Sequence, residues 1–200
     1  MLLDIVILPP KGLREKIGRA VTRSVAGRPT VFVVDNKKLI PHLSLFHLRT
    51  SPARVSKVTT QVRIISKKHH TSRVRLLKVE IVGRFLGMTL SNNPKLKKLN
   101  REVVAKTRAL RTGMMPWTSA GRPKLWEQKN RERYGTQHNI GKTFRPHFTL
   151  AILKDHQAAA QATNQLKNLK FSFSAGTIAV CEVNWWHQVT RVIKTFKLKK

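Results

Sequence analysis

The feature that most constrains this chain is a five-residue phrase that occurs twice. Pro41-His42-Leu43-Ser44-Leu45 reads Pro-His-apolar-hydroxyl-Leu, and so does Pro146-His147-Phe148-Thr149-Leu150. In a strand, alternate side chains point to opposite faces. His42 and Ser44 then share one face, as do His147 and Thr149, while Leu43, Leu45, Phe148 and Leu150 face a core. If the two strands lie side by side, two imidazoles and two hydroxyls converge on one cleft. A lone His-x-Ser in a strand is most often structural. A matched pair, each preceded by proline, calls for a shared explanation.

The segments around the phrases alternate between strand and helix patterns. Residues 2–9 read as a buried strand ended by Pro9-Pro10. Leu13, Ile17, Ala20, Val21 and Val25 recur at helical spacing, and Val31–Val34 is a short strand. Leu39–Leu48 is the strand with the first phrase. Ser51-Pro52 starts a helix carrying Val55, Val58, Val62 and Ile65. Val74–Val82 and Arg84–Leu90 read as strands, and Ser91-Asn92-Asn93-Pro94 starts a helix with Leu96, Leu99, Val103 and Leu110 on its apolar side. Thr112–Phe144 reads as a long irregular, basic segment, and Arg145–Leu153 is the strand with the second phrase. Asp155 caps a helix reaching Leu166 and Leu169. Strands at Phe171–Val183 and Gln188–Leu198 close the chain around a turn at Trp185-Trp186-His187.

The phrases fall at comparable points of two halves. The expected architecture is therefore α+β, a diverged duplication. It has two lobes related by a pseudo-twofold axis, each an antiparallel sheet backed by helices, around a central cleft. Residues 1–200 are expected to form one such bilobal domain, with the basic irregular segment at about 112–144 inserted before the second phrase.

Charge narrows the partners. The formal net charge is +31, from 40 Lys plus Arg against 9 Asp plus Glu. Self-repulsion on this scale is relieved by a polyanion, most often nucleic acid. The basic residues are spread along the chain, which argues against a small core with a basic arm. Taken alone, the charge favours an RNA-binding or ribosome-associated protein. The single cysteine, Cys181, rules out an internal disulfide and a Cys-based zinc site. It sits in an apolar run as an inert thiol and fits a reducing, cytoplasmic setting. The apolar opening, Leu2–Leu8 around Asp4, reads as a strand and not a signal peptide. No stretch has the length of a membrane span.

With these residues in view, the chain resembles the 2H phosphoesterase superfamily, also called the 2′-5′ RNA ligase-like family. The resemblance is carried by His42-Leu43-Ser44 and His147-Phe148-Thr149. It is extended by Ile5-Val6-Ile7-Leu8-Pro9-Pro10, by Phe144–Ala151 around the second motif, and by the closing Thr195-Phe196-Lys197-Leu198. The 105 residues from His42 to His147 are slightly more than the family's usual interval, which the inserted segment accounts for. Two departures stand out: Ser44 where threonine is commoner, and the extreme basicity.

The resemblance implies hydrolysis of RNA 2′,3′-cyclic phosphates, of 2′-5′ linkages or of related cyclic nucleotides. Histidine titrates near neutrality, so two of them can act as base and acid without a metal or cofactor. For hydrolysis, His147 is taken as the base and His42 as the acid, an assignment that reverses with the direction of the reaction. Ser44 and Thr149 would donate to phosphate oxygens. Arg145 and Lys142 are candidate phosphate contacts. Trp126 and Tyr134, with Trp117, lie among Arg122, Lys124, Lys129, Arg131 and Arg133, a pattern suited to stacking on unpaired bases or to fastening the segment to the body. Trp185-Trp186 reads as packing at a hairpin tip. His47 and His69-His70 lack a carboxylate cluster for a metal, and a surface loop is expected at 69–70.

The partners expected are RNA or nucleotide cyclic phosphates, with no membrane and a monomer favoured. Two alternatives remain open. One is a non-catalytic RNA-binding or ribosome-associated protein that reuses this fold. The other is a 2′-5′ RNA ligase, which runs the same chemistry backwards.

Overall fold

The computed structural model describes residues 1–118, 123–137 and 140–200. Apolar alternation and continuous apolar runs give nine strands among these residues: β1 (Leu2–Ile7), β2 (Thr30–Val33), β3 (Leu43–Arg49), β4 (Arg73–Val82), β5 (Phe85–Leu90), β6 (His147–Leu153), β7 (Ser172–Ser174), β8 (Thr177–Val183) and β9 (Val189–Lys197). The helices are α1 (Lys11–Ser24), α2 (Val55–Ser66), α3 (Pro94–Thr107), α4 (Leu125–Tyr134) and α5 (His156–Leu166). Caps fall where the sequence places them on α3 and α5. Asn93 accepts from the Leu96 amide at 2.9 Å and Asp155 from the Ala158 amide at 2.6 Å, each satisfying an orphan donor of the first turn.

The strands form two antiparallel sheets, ordered β3-β1-β8-β9 and β2-β6-β5-β4-β7. Helices α2 and α3 pack against the first sheet, while α5 packs against the second with α1 beside it. The principal core lies between helices and sheets and holds Leu43, Leu45, Phe148 and Leu150, all fully buried. Gly18 of α1 is required by packing: a Cβ there would stand 2.4 Å from the Asp35 carbonyl oxygen.

The α+β expectation of two helix-backed antiparallel sheets holds. Several details differ. The two motif strands are not neighbours in one sheet; β3 and β6 belong to different sheets and meet across the space between them. His42 stands just before β3, after Pro41, whose ring removes a ladder donor. The expected strand Phe171–Val183 breaks at Ala175-Gly176, where the chain crosses from the second sheet (β7) to the first (β8). The segment read as irregular contains α4, ended by Gly135 in a left-handed conformation, φ 78°. Its helical periodicity is hidden because α4 lies with most of its surface in solvent and buries only Glu127.

Both motif strands carry a β-bulge at the same place. On β3, Ile5 opposes Phe46 and Val6 opposes Ser44, so Leu45 is the extra residue. On β6, Leu86 opposes Ala151 and Gly87 opposes Thr149, so Leu150 is the extra residue. In each half the bulge follows the motif hydroxyl directly and shifts the parity of the strand beyond it. Each bulged carbonyl is held: Leu45 O accepts from the buried Asn100 side chain of α3 at 2.7 Å, and Leu150 O from the Val34 amide at 2.7 Å.

Candidate active site

The local backbone sets the two motif histidines alike. His42 Nδ1 lies 2.7 Å from the Ile40 carbonyl oxygen, and His147 Nδ1 lies 2.8 Å from the Arg145 carbonyl oxygen. A carbonyl only accepts, so each Nδ1 carries the proton and donates it to the residue two positions earlier. Each Nε2 is thereby the atom left to take or give a proton. His42 is buried and His147 half-buried. Burial lowers the pKa of both rings, and the charge of His147 opposes protonation of His42.

Asp4, in the middle of β1 and 0 % exposed, lies beside His42. It is directly across from His47 on β3 and Cys181 on β8. Its Oδ2 accepts from Ser44 Oγ at 2.6 Å and lies 3.1 Å from His47 Nε2 and 3.6 Å from His42 Nε2. The His47 ring packs against that of His187 at 4.7 Å between centroids. His187 comes from the turn between β8 and β9, where it adopts φ 59°. Its neighbour Trp186 reaches the other way, to Phe32 of the second sheet, at 6.3 Å between centroids. Cys181 is fully buried and burial pushes its thiol pKa up, consistent with an inert thiol.

On the second sheet, Thr89 of β5 stands opposite His147 and donates to Glu80 of β4. Lys78 pairs with Glu80 at 2.6 Å. Burial acts to raise the Glu80 carboxyl, but Lys78 and Thr89 outweigh it and hold it below its usual value. Thr149, opposite Gly87, has no side-chain hydrogen bond among the described residues. The two motif hydroxyls thus differ: the Ser44 proton is committed to Asp4, and that of Thr149 is not committed to any described side chain.

The other candidates divide. Arg145 and Lys142 are exposed, with Lys142 in a short 3-10 turn at Gly141–Thr143. Tyr134 is half-buried between Arg108 and Arg133, 6.0 and 5.4 Å from its ring centroid, and packs on the main core. It fastens the segment to the body. Trp117 takes the Arg131 guanidinium over its ring at 5.6 Å. Trp117, Arg131 and Met114 help line a cavity of about 540 Å³. Trp126 is exposed on α4. Arg122 lies outside the described residues. Trp185 is exposed at the hairpin tip and Trp186 packs, as expected. His69 corrects the surface-loop expectation: it is buried against Glu102 at 2.7 Å, while His70 is exposed. Among the described residues no group of three or more His, Cys, Asp or Glu side chains is placed to hold a metal ion. No described helix is long and apolar enough to cross a membrane.

Asp4, His47, His187 and Glu80 were not read as site residues in the sequence. Strict alternation puts His47 on the core face with Leu43 and Leu45; the bulge at Leu45 returns it to the face of Ser44. Asp4 carried a signal, as the one charge in an apolar strand.

Solved structures share this fold. The chain is similar to TT0787 of Thermus thermophilus, with TM-score 0.63 and 18% identity over 100% of this chain and 98% of that one. It is similar to E. coli LigT complexed with 3′-AMP, with TM-score 0.60 and 13% identity over 99% and 98% of the two chains. It also matches Kluyveromyces marxianus Usb1, with TM-score 0.51 and 13% identity over 98% of each chain. No protein-family model matches the chain, and no curated protein matches it. These likenesses show the fold, the two-sheet α+β architecture that the sequence led one to expect.

Proposed function

We propose that this chain is a metal-independent phosphoesterase that acts on RNA 2′,3′-cyclic phosphate ends or 2′-5′ phosphodiester bonds by two-histidine acid/base catalysis. The observation that carries this reading is the matched setting of His42 and His147. Both present Nε2 as the exchangeable atom, and they come from facing sheets. One takes a proton from water as it attacks phosphorus, and the other gives a proton to the departing ribose oxygen. Thr149 donates to a non-bridging phosphate oxygen. Arg145 and Lys142 lie close in sequence to His147 as cations for the phosphates of a longer RNA. The fold is shared with LigT, which has been solved with 3′-AMP, and that likeness favours nucleotide-sized ligands.

The test is hydrolysis of a nucleoside 2′,3′-cyclic phosphate and of a short RNA ending in one, with EDTA present. Wild-type turnover is expected to survive EDTA, and His42→Ala and His147→Ala are each expected to lose it by at least about a hundredfold while staying folded. Full activity in either variant refutes the mechanism. The net charge of +31 favours a second reading, a non-catalytic RNA-binding protein on the same fold. Tight, salt-sensitive RNA binding without turnover on either substrate would establish it instead.

A further inference from the structure

We propose that the outer face of α2 and α3 is a docking surface for the phosphate backbone of RNA, separate from the two-histidine site. The choice of RNA as the polyanion rests on the reading above, while the surface itself rests on its charge and geometry.

The two helices cover the far side of the first sheet. Leu3 and Ile5 of β1 share the principal core with Val58 and Val62 of α2 and with Leu99 and Val103 of α3. Asp4, between Leu3 and Ile5, points to the opposite face of the strand, toward His42. The outward surface of α2 and α3 is thus separated from His42 by the sheet and by a helix layer about 10 Å thick.

That surface carries one sign of charge. The sequence has no Asp or Glu from residue 36 to residue 79, a stretch that holds all of α2. Glu102 is the one carboxylate of α3, and it is engaged by the buried His69 at 2.7 Å. Lys57 of α2 and Lys98, Arg101 and Lys106 of α3 are exposed. None of these four cations is in an ion pair among the described residues. Cations grouped on one face without counter-charges raise a positive potential that a polyanion relieves.

Between the helices is a cavity of about 280 Å³, lined by Ser56, Lys57, Thr60 and Gln61 of α2 and by Lys106 of α3. All five side chains can donate a hydrogen bond and none is a carboxylate. None of them has a side-chain hydrogen bond among the described residues. The volume falls below the roughly 300–1,000 Å³ of pockets that enclose a whole small-molecule ligand, so the cavity suits one backbone phosphate. Helices α2 and α3 contain no aromatic residue on which a base could stack. Ile64 is their one exposed large apolar side chain, which leaves a lipid surface or a protein partner without anchors. The face therefore reads phosphates and not bases, and its binding is independent of sequence.

The experiment is a salt titration of the binding of a mixed-sequence single-stranded RNA, some tens of nucleotides long, read by fluorescence anisotropy. Wild type is compared with Lys57→Gln/Lys106→Gln and with Arg19→Gln/Arg23→Gln, which removes the same charge from exposed positions of α1. Two lost contacts at about 0.7 each make the log–log slope shallower by about 1.4, which is about a 25-fold loss of affinity at about 0.1 M salt. The α1 pair is expected to lose much less, and both pairs are expected to keep wild-type kcat and KM on a nucleoside 2′,3′-cyclic phosphate. Lys98→Gln/Arg101→Gln is expected to behave as the first pair does and serves if that pair fails to fold. Equal losses in the α1 pair, or an unchanged slope in the α2–α3 pairs, overturn the proposal. So does a rise in KM that matches the loss of RNA affinity, which would put these cations in the reacting site. Lost binding to phosphatidylserine vesicles with RNA affinity unchanged would make the face a membrane contact and overturn it as well. RNA binding is read without turnover, so a protein inactive on the cyclic phosphate that still loses RNA in the α2–α3 pairs removes the enzyme reading and keeps this one.

Discussion

Asn100 tests the claim that the bulge at Leu45 builds the first half of the site. Its side chain is fully buried and donates to the Leu45 carbonyl at 2.7 Å. Asn100→Leu keeps the volume close and removes the donor. A buried carbonyl left without a partner costs about 1–3 kcal/mol. For a chain of this length each kcal/mol lowers Tm by about 2–4 °C, so Tm is expected to fall by about 2–12 °C. The consequence for the site is geometric. Leu45 is the residue that the β1–β3 register skips, and its placement puts Ser44 and His47 on the same face as Asp4. With the bulge loosened, Ser44 and His47 lose their common purchase on Asp4, and kcat on a cyclic phosphate is expected to fall more than KM rises. Differential scanning calorimetry and steady-state kinetics read the two effects. A variant with wild-type Tm and wild-type kcat would show that the bulge does not depend on this bond, and the account of how α3 supports the site would be wrong.

Two further outcomes follow from charge. Burial depresses the pKa values of His42 and His147, so below about pH 6.5 the unfolded chain takes up protons that the folded chain resists. The contribution of these rings to stability is whole above that pH and is lost as pH falls through the window between the unfolded and folded values. The slope is at most about 1.4 kcal/mol per pH unit for each ring, and urea titrations at pH 7.5, 6.0 and 5.0 on wild type and the His42→Gln/His147→Gln double variant measure it. An equal slope in both proteins would place the acid sensitivity elsewhere. RNA affinity is expected to drop linearly in log–log against salt, with a slope of about −0.7 for each single-strand phosphate neutralised, while KM for a single cyclic nucleotide changes much less; matching slopes would confine RNA contact to the reacting phosphate.

The sequence carried the frame of this molecule because apolar periodicity and paired motifs are local signals. The strands and helices around His42 and His147 follow from them, as do the caps at Asn93 and Asp155. What it withheld depends on pairing. Parity fails across a bulge, and a bulge is a property of two strands: nothing in Leu43–Arg49 alone says that Leu45 is skipped against β1. That single shift moves His47 from core to site. The crossing at Ala175-Gly176 was hidden for the same reason, since Ser172–Ser174 and Thr177–Val183 read as one strand until their partners, β4 and β1, are known. Asp4 is the reverse case. Its charge was visible in an apolar strand, but its meaning required the three side chains that surround it.

The two halves share more than their motifs, and they differ in what surrounds their histidines. In both, a His Nδ1 donates to the carbonyl two residues back, a hydroxyl follows two residues on, and a held bulge comes next. Five residues past each histidine the halves part. His47 meets Asp4 and His187, a polar group with a buried negative charge. Ile152 meets Phe32, Phe85 and Trp186, an apolar wall. An acid and a base of the same residue type need environments that separate their affinities for a proton. Asp4 beside His42 favours a proton there, but burial outweighs it and lowers the pKa of both rings. The hairpin between β8 and β9 joins the two environments, placing His187 in one and Trp186 in the other. The two like histidines thus stand in unlike surroundings, Asp4 and His47 beside one strand and the apolar neighbours of Ile152 beside the other.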